Sequence, residues 1–127
     1  VKSYVVYEEY LPVIQFVDYS PSTPKPWQRV EVTTQVFDKG SGLEQVLLHY
    51  SIAGTEHVLY PESSINNTYV FSIPGYPAGT VIEFYVEAVD LCGNVAKSDI
   101  ITVTVKAPPP PPPPAKPFNQ NLLLFLT

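Results

Sequence analysis

Apolar and polar residues alternate along the middle of the chain. In QRVEVTTQVF, Val30, Val32 and Val36 share one face, whereas Glu31 and Gln35 lie on the other. This period of two is typical of a strand with one buried face. The same period recurs in LEQVLLHYSI, TYVFSI, VIEFYVEAVD and DIITVTV, and the shorter segments VIQFV and HVLY are also strand-like. The pattern predicts about seven short strands, and no stretch has a helical period.

Turn-forming residues separate these segments. They occur in SPSTPKP, DKGSG, IAGTE, PESSINN, PGYPAG and DLCGN. Glycine supplies positive φ, proline presets φ, and Asn or Asp bonds its own backbone. Turns at intervals of roughly 8–12 residues favour a sandwich or barrel. We therefore predict an all-β, antiparallel β-sandwich over residues 12–106, in which two sheets share one core.

The two ends of the chain differ from this middle region. Residues 1–11 form an extended, strand-like segment, VKSYVVYEEYL. Residues 107–117 contain seven consecutive prolines, which predict a rigid polyproline linker, and residues 118–127 are an apolar segment. At about 3.1 Å per residue the prolines span about 20 Å.

Neither apolar end is needed to complete a sandwich of seven strands. Unpaired sheet edges accept added strands because their backbone donors and acceptors are free. We therefore predict that one or both ends dock on neighbouring copies in a head-to-tail assembly. The candidate assembly residues are Val5, Tyr7, Leu122, Leu124 and Leu126.

The charge and composition of the chain limit the classes of partner that it is expected to bind. The net charge is −5, and the seven Lys and Arg residues are scattered, which argues against nucleic acid because phosphate binding needs a basic surface. Charged residues make up 15% and aromatic residues 13% of the chain, a balance typical of secreted β-rich proteins. The apolar run that begins at Leu122 is too short to span a bilayer. Membrane contact is predicted only if this run begins a truncated anchor.

The sequence carries no recognisable catalytic motif, so we expect a non-enzyme without cofactor or catalytic or metal site. His49 and His57 have no zinc-site spacing and are predicted to be surface residues. Four residues with side-chain oxygen atoms fall near loops and could together bind calcium: Asp38, Asp90, Asn94 and Asp99. The alternative, which is favoured, is that Asp38 and Asp90 bond the backbone of their turns.

Three further positions are candidate surface sites. Asn66-Asn67-Thr68 is an N-glycosylation sequon, with Asn66 as the acceptor. Cys92, the single cysteine, either cross-links neighbouring subunits or is a partly buried, inert thiol. Trp27 and Tyr76, together with Tyr19, either form an exposed aromatic contact for sugar or protein, or Trp27 caps the open end of the sandwich.

Several motifs resemble those of the immunoglobulin-like, fibronectin-type-III-like repeats of bacterial and archaeal secreted and cell-surface proteins. They are the DKGSG turn followed by VLLHY, the segment IPGYPAGT, and FYVEAVD followed by Gly93-Asn94. The resemblance covers residues 12–106 and implies an immunoglobulin-like sandwich. Trp27 departs from it, because the family usually has glycine there, and Cys92 occupies a turn position usually filled by a small or polar residue.

Together these features predict a non-catalytic structural or adhesive module located outside the cell or on its surface. The expected form is a filament or surface-layer subunit that assembles through its ends, with copies of itself or neighbouring domains as partners. The alternative is an accessory carbohydrate-binding or spacer module of a larger secreted enzyme. Such repeats serve all these roles, so the fold alone does not choose between them.

Overall fold

The structure, a computed structural model, describes residues 10–115. These residues form nine strands, which pair antiparallel throughout: β1 (Val13–Ser20), β2 (Val30–Phe37), β3 (Leu43–Ile52), β4 (Thr55–Leu59), β5 (Ser63–Ile65), β6 (Thr68–Ile73), β7 (Val81–Asp90), β8 (Val95–Lys97) and β9 (Ile101–Thr104). One sheet has the order β1-β2-β6-β5; in the other the order is β4-β3-β7, and β8 and β9 both pair with β7. The predicted all-β, antiparallel sandwich is confirmed.

The strand count exceeds the predicted seven partly because the last strand is interrupted. The pairs Glu87–Lys97 and Phe84–Ile101 leave two residues of β7 opposite three residues between β8 and β9. The Ser98 N–H donates to the Val86 carbonyl (2.9 Å), and the Val86 N–H donates to Ser98 Oγ (2.8 Å). A hydroxyl thus replaces a backbone acceptor in this bulge. Strands β8 and β9 are therefore two halves of one strand along the edge of β7.

The predicted apolar faces meet in one core. Alternate residues of β2, β3, β6 and β7 point inward, as their period of two indicates. Each fully buried large side chain contributes about 1.5–3 kcal/mol to stability. The largest of these are Phe71, Phe84, Leu48, Ile73 and Ile82.

Strand β1 contains an irregularity that simple alternation does not predict. Ile14 pairs with Val36 and Phe16 with Gln35, so Gln15 is the extra residue of a bulge. As a result both Ile14 and Val17 pack against the core, although they are three positions apart. Phe16 lies on the outer face and is 38% exposed.

The chain enters and leaves the sandwich at opposite ends. The pairs Val13–Phe37 and Leu43–Asp90 place the start of β1 at the end that also carries residues 38–42, 66–67 and 90–94; this is the lower end. The pairs Ser20–Glu31 and Val81–Thr104 place the end of β9 at the other end, with residues 21–29, 53–54 and 74–80; this is the upper end.

Candidate functional site

Backbone hydrogen bonds tie the loops of the upper end to the point where the chain leaves the sandwich. The Trp27 N–H donates to the Tyr76 carbonyl (2.8 Å), and the Lys106 N–H donates to the carbonyl of Pro24 (3.2 Å). Pro24 is itself buried. The proline segment therefore starts from an anchored residue.

Trp27 stands out in this end because of its backbone. Its φ is 65°, in the left-handed region, and its side chain is 69% exposed. For a bulky L-residue this region is a genuine outlier, and it costs roughly 1–2 kcal/mol. Because the indole is exposed, it does not cap the core, and the capping interpretation is wrong.

Gly75 permits this arrangement, and sequence reasoning did not single it out. A Cβ at position 75 would overlap the backbone carbonyl of Trp27. Only glycine therefore allows the two loops to approach closely enough for the bond between Trp27 and Tyr76. The signal for this role was the dipeptide Pro74-Gly75, which indicated a turn but not a close contact.

Tyr76 belongs to an aromatic row that runs from the upper end towards the edge of the sheet. Its hydroxyl shares a hydrogen bond of 2.8 Å with the hydroxyl of Tyr50, and His57 stacks on Tyr50 with ring centroids 4.8 Å apart. Burial raises the pKa of Tyr50, and the hydrogen bond to Tyr76 raises it further. Tyr76 is half-buried, and Tyr19 packs edge-to-face on Phe84 inside the sandwich. Trp27 is the exposed member of the predicted aromatic set.

The outer face of the β3–β7 sheet carries a polar cluster around Tyr85. His49 stacks on Tyr85 with centroids 4.9 Å apart, and its Nε2 lies 3.1 Å from Glu87 Oε1. Lys97 Nζ lies 4.0 Å from Glu87 Oε2 and 5.8 Å from the Tyr85 ring centroid. His49 is half-buried and partnered, whereas His57 is exposed. The cluster links β3, β7 and β8 across their outer surface.

The lower end is organised by Asp90, which is fully buried. Its Oδ1 accepts from the N–H groups of Cys92 (2.9 Å) and Asn94 (2.8 Å), and its Oδ2 accepts from Asn94 Nδ2 (2.9 Å). Desolvation raises the pKa of Asp90, but these hydrogen bonds to the charged form outweigh it and lower the pKa below its usual value. Asp90 therefore bonds its own turn, as predicted.

Asp38 has a similar role in the neighbouring loop. Its Oδ2 accepts from the Gly42 N–H (2.7 Å), and the Gly42 carbonyl accepts from the Leu91 N–H (2.9 Å). Asp99 instead lies in the bulge between β8 and β9. Within residues 10–115, no three His, Cys, Asp or Glu side chains gather in a way that could hold a metal ion.

The sequon and the cysteine both lie in exposed turns of the lower end. Asn66 and Asn67 connect β5 and β6, with φ values of 51° and 65°. Positive φ at both central residues is what a type I′ hairpin turn requires, and Asn tolerates it well. Glycosylation of Asn66 remains a prediction. Cys92 is exposed rather than buried, so it is sterically accessible for subunit cross-linking, which also remains a prediction.

A groove runs between β1, at the edge of one sheet, and β8–β9, at the edge of the other, and neither edge pairs with a further strand within residues 10–115. It has a volume of about 480 Å³, and its lining residues include Ile14, Phe16, Val17, Ala96, Ser98 and Ile101. Ile14, Val17 and Ile101 also pack against the core, so the groove opens onto the core itself. The predicted assembly residues Val5, Tyr7, Leu122, Leu124 and Leu126 lie outside the described residues.

Comparison with known proteins finds similarity to solved structures but no family. No protein-family model matches the chain, and no curated protein matches it. The chain is similar to the crystal structure of a Br derivative of BhCBM56, with 11% sequence identity and a TM-score of 0.45 over 79% of this chain and 96% of that one. At this identity and TM-score, neither a site residue nor a function is carried over to this chain. Residues 10–115 contain no helix long and apolar enough to cross a membrane.

Proposed function

We propose that this protein is a non-catalytic structural module outside the cell or on its surface, and that it serves as a rigid spacer. The observation that carries the proposal is the placement of β1 and β9: the chain enters at the lower end and leaves at the upper end. A module with this geometry holds the segments on either side of it a full strand length apart. For the ten residues of β7 this length is about 33 Å.

Strand order supports an immunoglobulin-like version of this module. In the immunoglobulin fold the first, second, fifth and fourth strands form one sheet, and the third, sixth and seventh form the other. Here β1, β2, β6 and β5 share one sheet, and β3, β7 and the interrupted β8–β9 share the other with β4. With β4 as an additional edge strand, the two orders correspond.

The direction of the terminal strands suits a module under tension. A pull on the chain before β1 acts along that strand, and a pull on the chain after β9 acts along β9 in the opposite direction. The hydrogen bonds of β1 to β2 and of β9 to β7 run across the strands. Tension therefore loads several bonds at once in shear, and they do not open one by one.

The proline segment extends the spacer beyond the sandwich. Pro108 to Pro114 are all exposed, and each lacks a backbone N–H and has a restricted φ. The segment begins beside Lys106, which is bonded to the upper end. It therefore adds about 20 Å of stiff chain.

Surface labelling of intact cells tests the location that this proposal requires. We expect an antibody raised against residues 10–115 to label intact cells, and external protease to remove the label without lysis. Labelling that appears only after lysis would contradict the proposal. An antibody against a cytoplasmic protein is the control for cell integrity.

A second candidate function, an accessory carbohydrate-binding module, is favoured by Trp27 alone. The exposed indole is held in a costly backbone conformation by a bond to Tyr76 and by Gly75, and strain of this kind concentrates at functional sites. Pull-down on insoluble polysaccharides tests this role. A carbohydrate-binding module would bind and lose binding in Trp27→Gly, with Tyr60→Ala, another exposed aromatic, as the matched control. Absence of binding by the unaltered chain would dismiss this candidate.

A further inference from the structure

We propose that the groove between β1 and β8–β9 accepts the apolar C-terminal segment 118–127 of a second copy of this chain as an added strand. The inference rests on the proposed structural role and specifies how copies join. It also makes the predicted docking of the chain ends specific: the segment 118–127 docks, and it docks in the groove between β1 and β8–β9.

The groove has the backbone groups that strand addition needs. Among the described residues, β1 pairs with β2 alone, and β8 and β9 pair with β7 alone. Each therefore has one unpaired edge, and both edges flank the same groove. Such an edge presents free N–H and C=O groups to an incoming strand.

The side chains at the groove are also apolar enough for a strand to be buried there. Ile14, Val17 and Ile101 form its floor and are only partly buried by the rest of the chain. On the outer side, Phe16 is 38% exposed and Val13 is 51% exposed. An added strand would cover apolar side chains on both of its faces.

The C-terminal segment has the matching pattern. Leu122 to Leu126 are five consecutive apolar residues, so both faces of an extended strand would be apolar. A continuous apolar run is typical of a strand buried on both faces. By alternation, Leu122, Leu124 and Leu126 would face the core while Leu123 and Phe125 lie beside Phe16.

Charge favours this segment over the N-terminal one. Asp99 lines the groove, and the charge of Lys97, which also lines it, is directed to Glu87 on the outer face. Residues 1–9 carry Glu8 and Glu9 against one lysine, Lys2, and would bring net negative charge to this acid, whereas residues 118–127 contain no charged side chain. Like charges close together oppose docking.

Geometry assigns the segment to a second copy. The chain leaves at the upper end through a stiff proline segment of about 20 Å. The groove extends from Ile14 and Ala96, near the lower end, to Val17 and Ile101, about halfway along the sandwich. To reach its own groove, the segment would have to return past the prolines and then along the sandwich. When two copies stand in the same orientation, the upper end of one meets the lower end of the next. The interface is then heterologous and propagates head to tail.

Variants of the full chain test both halves of the interface. Phe16→Lys places a lysine on the unpaired edge, a change by which natural sheets prevent strand addition. Leu124→Asp places a charge in the middle of the apolar run. Val58→Lys is the matched control, because Val58 is an exposed apolar residue on β4, the edge strand opposite β8–β9 in the second sheet and away from the groove.

The readout is the mass in sedimentation as a function of protein concentration. We expect the unaltered chain and Val58→Lys to grow beyond twice the monomer mass of 14.1 kDa, and Phe16→Lys and Leu124→Asp each to remain monomeric. An equal mixture of those two variants should form a dimer and stop, because one supplies the segment and the other the groove. Circular dichroism must show the same β-spectrum for all four proteins.

Five results would overturn the inference, four of them from the proteins above. They are a monomeric unaltered chain at high concentration, loss of assembly in Val58→Lys, growth of Phe16→Lys or Leu124→Asp by itself, and a mixture that stays monomeric. A Val5→Asp variant that alone stops assembly would assign the groove to the N-terminal segment and would also overturn it. None of these results affects surface labelling, so failure of this inference can be told from failure of the proposed function.

Discussion

The chain reverses direction in turns at both ends of the sandwich, but the residue types that adopt positive φ in these turns differ between the two ends. At the lower end the residues with positive φ are Gly42, Asn66, Asn67 and Gly93, all of them types that tolerate this conformation. At the upper end Trp27 and Ala53 have positive φ as well as Gly54 and Gly79. The lower end is therefore relaxed and internally bonded around Asp90, whereas the upper end stores backbone strain beside an exposed indole. The difference indicates that the upper end is shaped by a requirement other than stability.

The largest expected effect on stability comes from a substitution at Gly75, where the loops of the upper end approach each other closely. In Gly75→Ala the added Cβ would overlap the Trp27 carbonyl, so the loop has to move and its bond to Tyr76 is lost. We expect a loss of about 3 kcal/mol in the free energy of unfolding, measured by urea titration. Gly54→Ala is the control: it has open space around it and a φ of 84°, so it should cost only about 1 kcal/mol. Equal losses for the two variants would refute a special role for Gly75.

Asp90→Asn is the corresponding change at the lower end. An amide cannot accept all the hydrogen bonds of the carboxylate, so the unfolding temperature at pH 7 should fall. The pKa of Asp90 is lowered in the folded state, so its contribution is full above the unfolded value of 3.8 and is lost as pH falls through the folded value. Thermal unfolding should therefore depend less on pH below about 4 in the variant. An unchanged acid profile would count against this account, and Asp99→Asn, at an exposed position, is the control.

Removal of the Tyr50 hydroxyl should have an intermediate effect. Tyr50→Phe loses the hydrogen bond to Tyr76 and should cost about 1 kcal/mol. Because burial and this bond raise the pKa of Tyr50, the native fold is favoured most below pH 10.0, the unfolded value, and is destabilised as pH rises above it. We expect the free energy of unfolding of the variant to fall less than that of the unaltered chain between about pH 9 and pH 12. This range brackets the usual tyrosine pKa of about 10. Tyr60→Phe, at an exposed position, should behave like the unaltered chain.

The smallest expected effect is an increase in stability, and it is expected at the upper end but not at the lower end. Trp27→Gly relieves the left-handed strain, and this gain is partly offset by the greater freedom of glycine in the unfolded chain. We expect a net gain of about 0.5 kcal/mol in urea unfolding. Asn66→Gly, the matched change at the lower end, should be close to neutral. A clear loss of stability in Trp27→Gly would show that the indole has a structural role after all.

Most of the fold followed from alternation, since Val30, Leu48, Phe71 and Phe84 all lie where a period of two places them. The two bulges did not follow, because Gln15 and residues 98–100 break the alternation without any glycine to mark them. The break after β8 depends on Ser98, whose hydroxyl accepts a hydrogen bond from the Val86 N–H of β7. This bond forms only when the two strands lie side by side, so the local sequence does not reveal it.

The candidate sites were harder to predict for the same reason. Trp27 could be singled out by its residue type, but its exposure and backbone strain depend on Tyr76 and Gly75, which are distant in sequence. The groove between β1 and β8–β9 joins strands from opposite ends of the chain, so no local pattern indicates it. Asp90 was predicted correctly because its partners Cys92 and Asn94 are local.

Stretching single molecules tests the central claim, that this module carries tension between its two ends. Tandem copies would be pulled through the natural path, before β1 and after β9, and compared with copies pulled through attachments at Val58 on β4 and Val95 on β8. We predict a clearly higher unfolding force along the natural path, because there the strand pairs are loaded in shear. An equal or lower force along the natural path would contradict the account.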